Sequence, residues 1–460
     1  MSRKTELIQP DKGQSAVPIH LVEKDAFDEF LKARSASQRS ALEAHKFEAD
    51  AGSHAILPDG EGWTVVLGVK DKGDLKSWAL AKLAETLPSG TYRIEDGEPG
   101  AAMFGWIVGQ YRYDRYRSEP KETGPRILLT GEAKRIEAVT AEAEATMLVR
   151  DLVNTPAEDM GPDKLEAEIE MIAKAHGADL RVTKGDSLEQ EFPMVHAVGR
   201  AATRNHAPRM IELEWGKADA PRIAIVGKGV CFDSGGLDIK TGAGMLLMKK
   251  DMGGAAHALA LARLVMERSL PVRLHLLIPA VENAVAANAL RPGDVLRARS
   301  GQTVEITNTD AEGRLILGDA LTRAGEDDPE LIVDFATLTG AARGALGPDL
   351  PALFANRDET AQQILAAGKA HDDECWALPL YEGYRDYLKS DIADFVNSHS
   401  NAFAGASVAG LFLEKFVDED TDWVHFDTYA WRPSAKPGRP KGGEALGLRA
   451  TWHMLLDRYA

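Results

Sequence analysis

Cysteine is almost missing from this 460-residue chain. Cys231 and Cys375 are too few for a disulfide framework and point to a reducing compartment. An excess of positive charge is missing too: 54 basic residues face 71 acidic ones, for a net charge of −17. Phosphate binding needs a basic surface, so nucleic acid is not expected as the main partner. Long apolar runs are absent as well. The N-terminus, MSRKTELIQPDKGQ, lacks the apolar segment of a signal peptide. The most apolar helical stretch, Ala255 to Val265, contains His257 and Arg263 and falls far short of a membrane span. These absences lead us to expect a cytoplasmic protein that engages no membrane. No internal repeat or low-complexity tract is found either. What remains, 44% hydrophobic and 27% charged, is the composition of a globular protein, and its length predicts two or three domains.

Residues 1–131 mix strand-like runs (GWTVVLGV, RILLT) with helical ones (LKSWALAKLAETL), which predicts a small N-terminal α/β domain. The Ala- and Glu-rich stretch from Glu132 to Val153 has no Gly or Pro and predicts a linker helix over 132–155. It runs into NTPAEDMGP, where Pro156, Gly161 and Pro162 punctuate the chain. Residues 156–460 alternate apolar strands with amphipathic helices, the pattern of a larger α/β domain whose mostly parallel central sheet is covered by helices. Strands are expected at RIAIVG (Arg222 to Gly227), RLHLLIPA (Arg273 to Ala280), ELIVDFA (Glu330 to Ala336) and DWVHFD (Asp422 to Asp427). Helices fit GGAAHALALARLVMERS and ILGDALTRAGE. A site in such a sheet lies beyond the carboxyl ends of the strands, where GKG and TLTGAA fall.

Two stretches are dense in chemistry. NTDAEGRL, Asn308 to Leu315, places Asp310, Glu312 and Arg314 two residues apart, with Gly313 between the last two. If extended, it would line Asn308, Asp310, Glu312 and Arg314 along one face. Carboxylates this close repel unless a cation lies between them, and a metal ion is the usual answer; the plain reading is a solvated, salt-bridged turn. The second stretch, Val226 to Ala256, holds Lys228, Asp233, Lys240 and Asp251 among glycines, including Gly227, Gly229, Gly235, Gly236, Gly253 and Gly254, that let backbone approach closely or take positive φ. It lacks the spacing of a phosphate-binding loop. Taken singly, each of these residues reads more readily as structural.

Together, GKGVCFDSGGLDIK…MKKDMGGAA and NTDAEGRL resemble the leucyl aminopeptidase family of dinuclear metallopeptidases, the cytosol aminopeptidases. Flanking similarities lie in RDLVNTPAEDMGP, DFATLTGAA, SDIADFVN and HFD, and the resemblance covers about residues 145 to 460. By resemblance, Asp233, Asp251, Asp310 and Glu312 would bind two divalent metal ions, with Lys228 giving an amine to one of them. The oxygen-rich donor set alone suggests Mg or Mn, whereas the resemblance implies Zn, with Mn or Co exchangeable at one position. Four carboxylates balance two dications in charge. Lys228 would have to be neutral, at a cost of about 4–5 kcal/mol that an adjacent dication can supply. The resemblance further implies Lys240 as oxyanion donor, Arg314 as holder of a bicarbonate that acts as base, peptides with a free N-terminus as substrates, and a homohexamer.

The substrate pocket implied by the resemblance takes in Met248, Asn308, Thr337, Leu338, Gly340 and Tyr429. Departures fall at IKTG (Ile239 to Gly242), where many relatives read IKPS, and at TYAWRPSAKPGRPKGGEALGLRA (Thr428 to Ala450). Tyr429 stands where better-known members have a small residue, which suggests a preference moved from leucine toward smaller or more polar first residues. His257, His425 and Cys231 read as structural, and Met245 and Met252 as core. Two other functions compete with the peptidase: a dinuclear phosphoesterase, and a DNA-binding accessory role known among relatives.

Overall fold

A computed structural model describes residues 6–120 and 123–460. The reading of the N-terminus rests partly on residues 1–5, which lie outside the described residues. The chain divides into two compact units. One comprises the chain through Met147 together with Ser434–Pro440; the other comprises Leu148–Pro433 and Lys441–Ala460.

The first unit carries a six-stranded sheet in the order Ile8–Pro10, Arg126–Thr130, Gly90–Ile94, Val17–Glu23, Gly62–Val69, His54–Asp59. Only the last pairing is antiparallel. Its core gathers Ile19, Leu67, Tyr92, Phe104 and Trp106. The segment Ser434–Pro440 joins this unit through contacts that include the Gly438 N–H donating to Glu85 Oε1 at 2.6 Å and the Arg439 guanidinium 4.4 Å from the Trp78 ring centre.

The second unit is built on a nine-stranded sheet. Asp422–Asp427, Leu331–Ala336, Arg222–Gly227 and Arg273–Asn283 run parallel side by side at its centre, and Gly229–Asp233 also pairs in parallel with Arg273–Asn283. Antiparallel strands flank them at Ala352–Ala355 and Arg209–Trp215. The central strands are buried almost throughout, as expected of strands with helices on both faces. The expected strands therefore form, with Arg273–Asn283 three residues longer than its apolar run.

Helix Gly253–Glu267 is buried along nearly its whole length against this sheet. Its second residue must be glycine: a Cβ on Gly254 would overlap the Phe335 carbonyl of the strand beneath. Helix Glu312–Gly325 is similarly enclosed. Helix Ile136–Asn154, free of Gly and Pro, spans the linker region. Pro162–His176 begins on a proline and ends on Gly177 at φ 66°, a sequence-encoded start and stop.

Candidate active site

The carboxyl ends of the central strands open on one cleft of about 570 Å³. Lys228 follows Arg222–Gly227, Asp233 closes Gly229–Asp233, Thr337 follows Leu331–Ala336 and Asp427 closes Asp422–Asp427. All four line the cleft, in keeping with the rule for open α/β sheets.

Backbone bonds fix Lys228 on both sides. Its N–H donates to Phe335 O at 2.9 Å, and its carbonyl accepts from Ala255 N–H at 2.8 Å. The buried Nζ lies 2.7 Å from Asp251 Oδ2 and 2.9 Å from Glu312 Oε1, and donates to Thr337 O at 3.2 Å. Burial opposes its charge, but Asp251, Glu312 and Asp233 outweigh burial and raise its pKa well above the lysine range. Lys240 makes a second node, with Nζ 2.8 Å from Asp233 Oδ2 and also paired with Asp310 Oδ1. Its pKa is raised against burial by Asp233, Asp310 and Glu312.

The acids are held in place in turn. Asp233 Oδ1 accepts from Gly235 N–H and from Asn283 Nδ2, each at 2.9 Å. Asp251 Oδ1 accepts from the Thr337 hydroxyl at 2.8 Å. Asp427 accepts from Leu338 N–H at 3.0 Å, Thr339 N–H at 3.1 Å and the Thr339 hydroxyl at 2.6 Å.

NTDAEGRL does not form the extended row expected of it. Thr309 and Asp310 lie in a turn, and Glu312 opens the helix Glu312–Gly325. Side-chain amides replace a neighbouring strand here. Asn308 Oδ1 accepts from Asp310 N–H at 2.8 Å. The buried Asn397 accepts from Thr307 and Asn308 N–H at 2.9 and 3.2 Å, and donates to Asn308 O at 2.7 Å. With its polar groups satisfied locally, the chain can turn into the helix rather than pair as a strand. Asp310 and Glu312 still converge, by turn geometry instead of strand alternation.

Oxygen atoms of Asp233, Asp310 and Glu312 all lie within 4.8 Å of one another. Burial pushes the Glu312 carboxyl up to about 8, with repulsion by Asp233 next in effect. The same two causes push Asp310 up to about 6. Glu312 Oε2 is buried and has no hydrogen-bond partner among the described residues. A hard-oxygen cluster of this kind, with an amine at its edge, fits a divalent cation.

Arg314, one residue beyond Gly313 on the same helix, is buried beside the cleft, and burial pushes its pKa down to about 10. Its Nη1 donates to Asn397 O at 2.7 Å, while Nε has no hydrogen-bond partner among the described residues. Met248, Asn308, Leu338, Gly340 and Tyr429 also line the cleft, so the metal, catalytic and substrate candidates all face one space. Outside it, Met252, Cys231, His257 and His425 are buried, whereas Met245, expected in the core, is only half-buried on a short exposed helix.

Sequence reasoning missed several cleft residues. Lys250, in MKKD, is buried there, as two successive lysines inside a glycine-rich stretch could have signalled. Arg343 and Thr339 carried no signal. Asn283 and Asn397 act from behind the cleft through single amides, which no short motif reveals.

Residues 147–452 match the cytosol aminopeptidase family, catalytic domain, and residues 17–129 match the M17 aminopeptidase, N-terminal domain. A probable cytosol aminopeptidase of Syntrophotalea carbinolica is 40% identical over 362 residues, 75% of this chain and 72% of that relative. The crystal structure of a cytosol aminopeptidase from Coxiella burnetii is 46% identical, with a TM-score of 0.94 over 99% of this chain and 100% of that one. The bottromycin maturation enzyme BotP, solved in complex with Mn, is 32% identical, with a TM-score of 0.86 over 97% of this chain and 100% of that one. Since the catalytic-domain match spans most of the chain and includes every side chain of the cleft, this chain belongs to the cytosol aminopeptidase family and is a metalloaminopeptidase.

Proposed function

We propose that the chain removes N-terminal residues from peptides with two divalent cations, held by Asp233, Asp251, Asp310, Glu312 and Lys228. The observation that carries this is the cluster itself, in which four carboxylates, three of them buried, meet two lysine amines at hydrogen-bond distance among the described residues. Zn and Mn are the first candidates, and BotP, a structural relative, was solved with Mn. When bound, such cations supply Lewis acidity, lowering the pKa of a water and polarising a carbonyl.

The chain's own groups supply the rest. Lys228 would release its proton to offer a neutral Nζ. Lys240, on the rim with Nζ beside Asp233 and Asp310, would donate to the oxyanion that grows on the scissile carbonyl oxygen. Arg314, with Nε unengaged among the described residues, would hold a bicarbonate as proton acceptor. Met248, Asn308, Thr337, Leu338, Gly340 and Tyr429 would surround the first residue of the peptide. A cytoplasmic homohexamer completes the proposal. Exposed Leu246 and Phe403 suit burial against another copy, and no helix among the described residues is long and apolar enough to cross a membrane.

Leucine p-nitroanilide and p-nitrophenyl phosphate, each assayed with added Mn, test the reading. Hydrolysis of the anilide alone is expected; hydrolysis of the phosphate alone would favour a phosphoesterase. Neither that activity nor DNA binding is favoured by the family match.

A further inference from the structure

One end of the cleft carries positive charge that protein carboxylates leave largely unneutralised. Tyr429 is flanked there by two cations: Lys250 Nζ lies 5.4 Å from the ring centre and Arg343 Cζ lies 4.7 Å from it. All three residues line the cleft. Among the described residues, the only carboxylate oxygen within 4 Å of Lys250 is Asp251 Oδ1, at 3.7 Å. That oxygen already accepts from the Thr337 hydroxyl, and the other Asp251 oxygen pairs with Lys228. Asp427, the next acid on this side, is engaged by the amides and hydroxyl of Leu338 and Thr339. Arg343 is exposed on the helix Gly340–Leu346, and its contact here is the aromatic face of Tyr429.

A buried ammonium whose nearest acid is already shared is costly unless an incoming anion completes it. We propose that Lys250 and Arg343, across the face of Tyr429, select peptides whose N-terminal residue is aspartate or glutamate and reject N-terminal lysine and arginine. This inference rests on the aminopeptidase reading of the cleft. It deepens that reading by naming the substrate class. In the proposed pocket, Met248 and Tyr429 surround the first residue of the peptide, so on that reading the carboxylate belongs to its side chain and not to the C-terminus of a short peptide. A glutamate entering here trades water for two cations, whereas a lysine meets like charge. Rejection is as much a part of the selectivity as attraction.

The test compares kcat/KM of the metal-loaded, full-length enzyme for the p-nitroanilides of glutamate, aspartate, leucine and lysine. None of these carries a C-terminal carboxylate. In wild type, glutamate should exceed lysine at least tenfold. Lys250→Met should lower the glutamate-to-leucine ratio at least tenfold and raise the lysine-to-leucine ratio. Arg343→Gln, on an exposed helix, should move both ratios in the same directions by a smaller factor. Because each ratio is internal, a change in metal content that scales all substrates cancels. Lysine equal to or better than glutamate in wild type overturns the proposal, as do unchanged ratios in both variants. Failure to hydrolyse any of the four anilides would instead overturn the aminopeptidase reading beneath it.

Discussion

Gly313 leaves its side-chain space to Lys228: a Cβ on Gly313 would lie 2.5 Å from Lys228 Cε and 2.7 Å from its Nζ. The glycine between Glu312 and Arg314 is therefore a packing requirement of the lysine opposite. Gly313→Ala should push the Lys228 amine away from Glu312 and Asp251. A displacement of this kind near reacting groups costs on the order of 10²-fold. Steady-state kinetics with leucine p-nitroanilide should show that loss in kcat/KM, with lower metal content by elemental analysis. Wild-type values for both would mean that Lys228 does not hold its position through this contact.

Lys240 and Arg314 should separate from the acids in their effects. Ala at either position should lower kcat by roughly 10²–10³-fold while metal content stays near that of wild type. Elemental analysis beside kinetics checks this. Loss of the metals from Lys240→Ala would assign Lys240 to holding the acids together.

Asn397 holds the turn that delivers Asp310 and Glu312. Its amide accepts from Thr307 and Asn308 and donates to Asn308 and Ala311. Asn397→Ala should strand several of these buried backbone groups, at about 2–4 kcal/mol of unfolding free energy. Urea titration measures the loss. An unchanged midpoint would show that water replaces the amide.

His257 should set part of the acid limit of stability. It is fully buried, with Nδ1 donating to Gly253 O at 2.6 Å and Nε2 accepting from Leu446 N–H at 3.0 Å. Burial pushes its pKa from the ordinary 6.5 down to about 4. The unfolded chain thus takes up this proton near pH 6.5, and the folded chain only near 4. Its contribution is complete above 6.5 and is lost as pH falls toward 4. Between pH 7.5 and 5 this amounts to about 2 kcal/mol. In His257→Gln the fall in stability over that range, followed by urea titration, should be smaller by about that amount.

Much of this was legible in the sequence, and the exceptions have physical reasons. Apolar runs such as RIAIVG declare buried parallel strands, because both of their faces must be apolar. Glycines at 253, 254 and 313 mark close approaches, where a Cβ would meet the Ala430 side chain, the Phe335 carbonyl and the Lys228 side chain in turn. The shape of NTDAEGRL is not legible locally, because strand alternation and a turn into a helix both bring Asp310 and Glu312 together, and Asn397, far along the chain, decides between them. The burial of Lys250 is hidden in the sequence because a lysine reads as solvated until its surroundings are known. That Ser434–Pro440 belongs with the first unit rests on contacts with Trp78 and Glu85, which no local pattern encodes.

On the proposed reading, peptide hydrolysis depends on two divalent cations held by the acid cluster. Elemental analysis of the purified chain, paired with leucine p-nitroanilide turnover before and after exhaustive chelation, tests this most directly. About two divalent ions per chain are expected, with loss of activity on their removal and recovery on adding Mn, Zn or Co. Asp310→Asn and Glu312→Gln should fall short of that stoichiometry. Full activity in rigorously metal-free protein would contradict that reading.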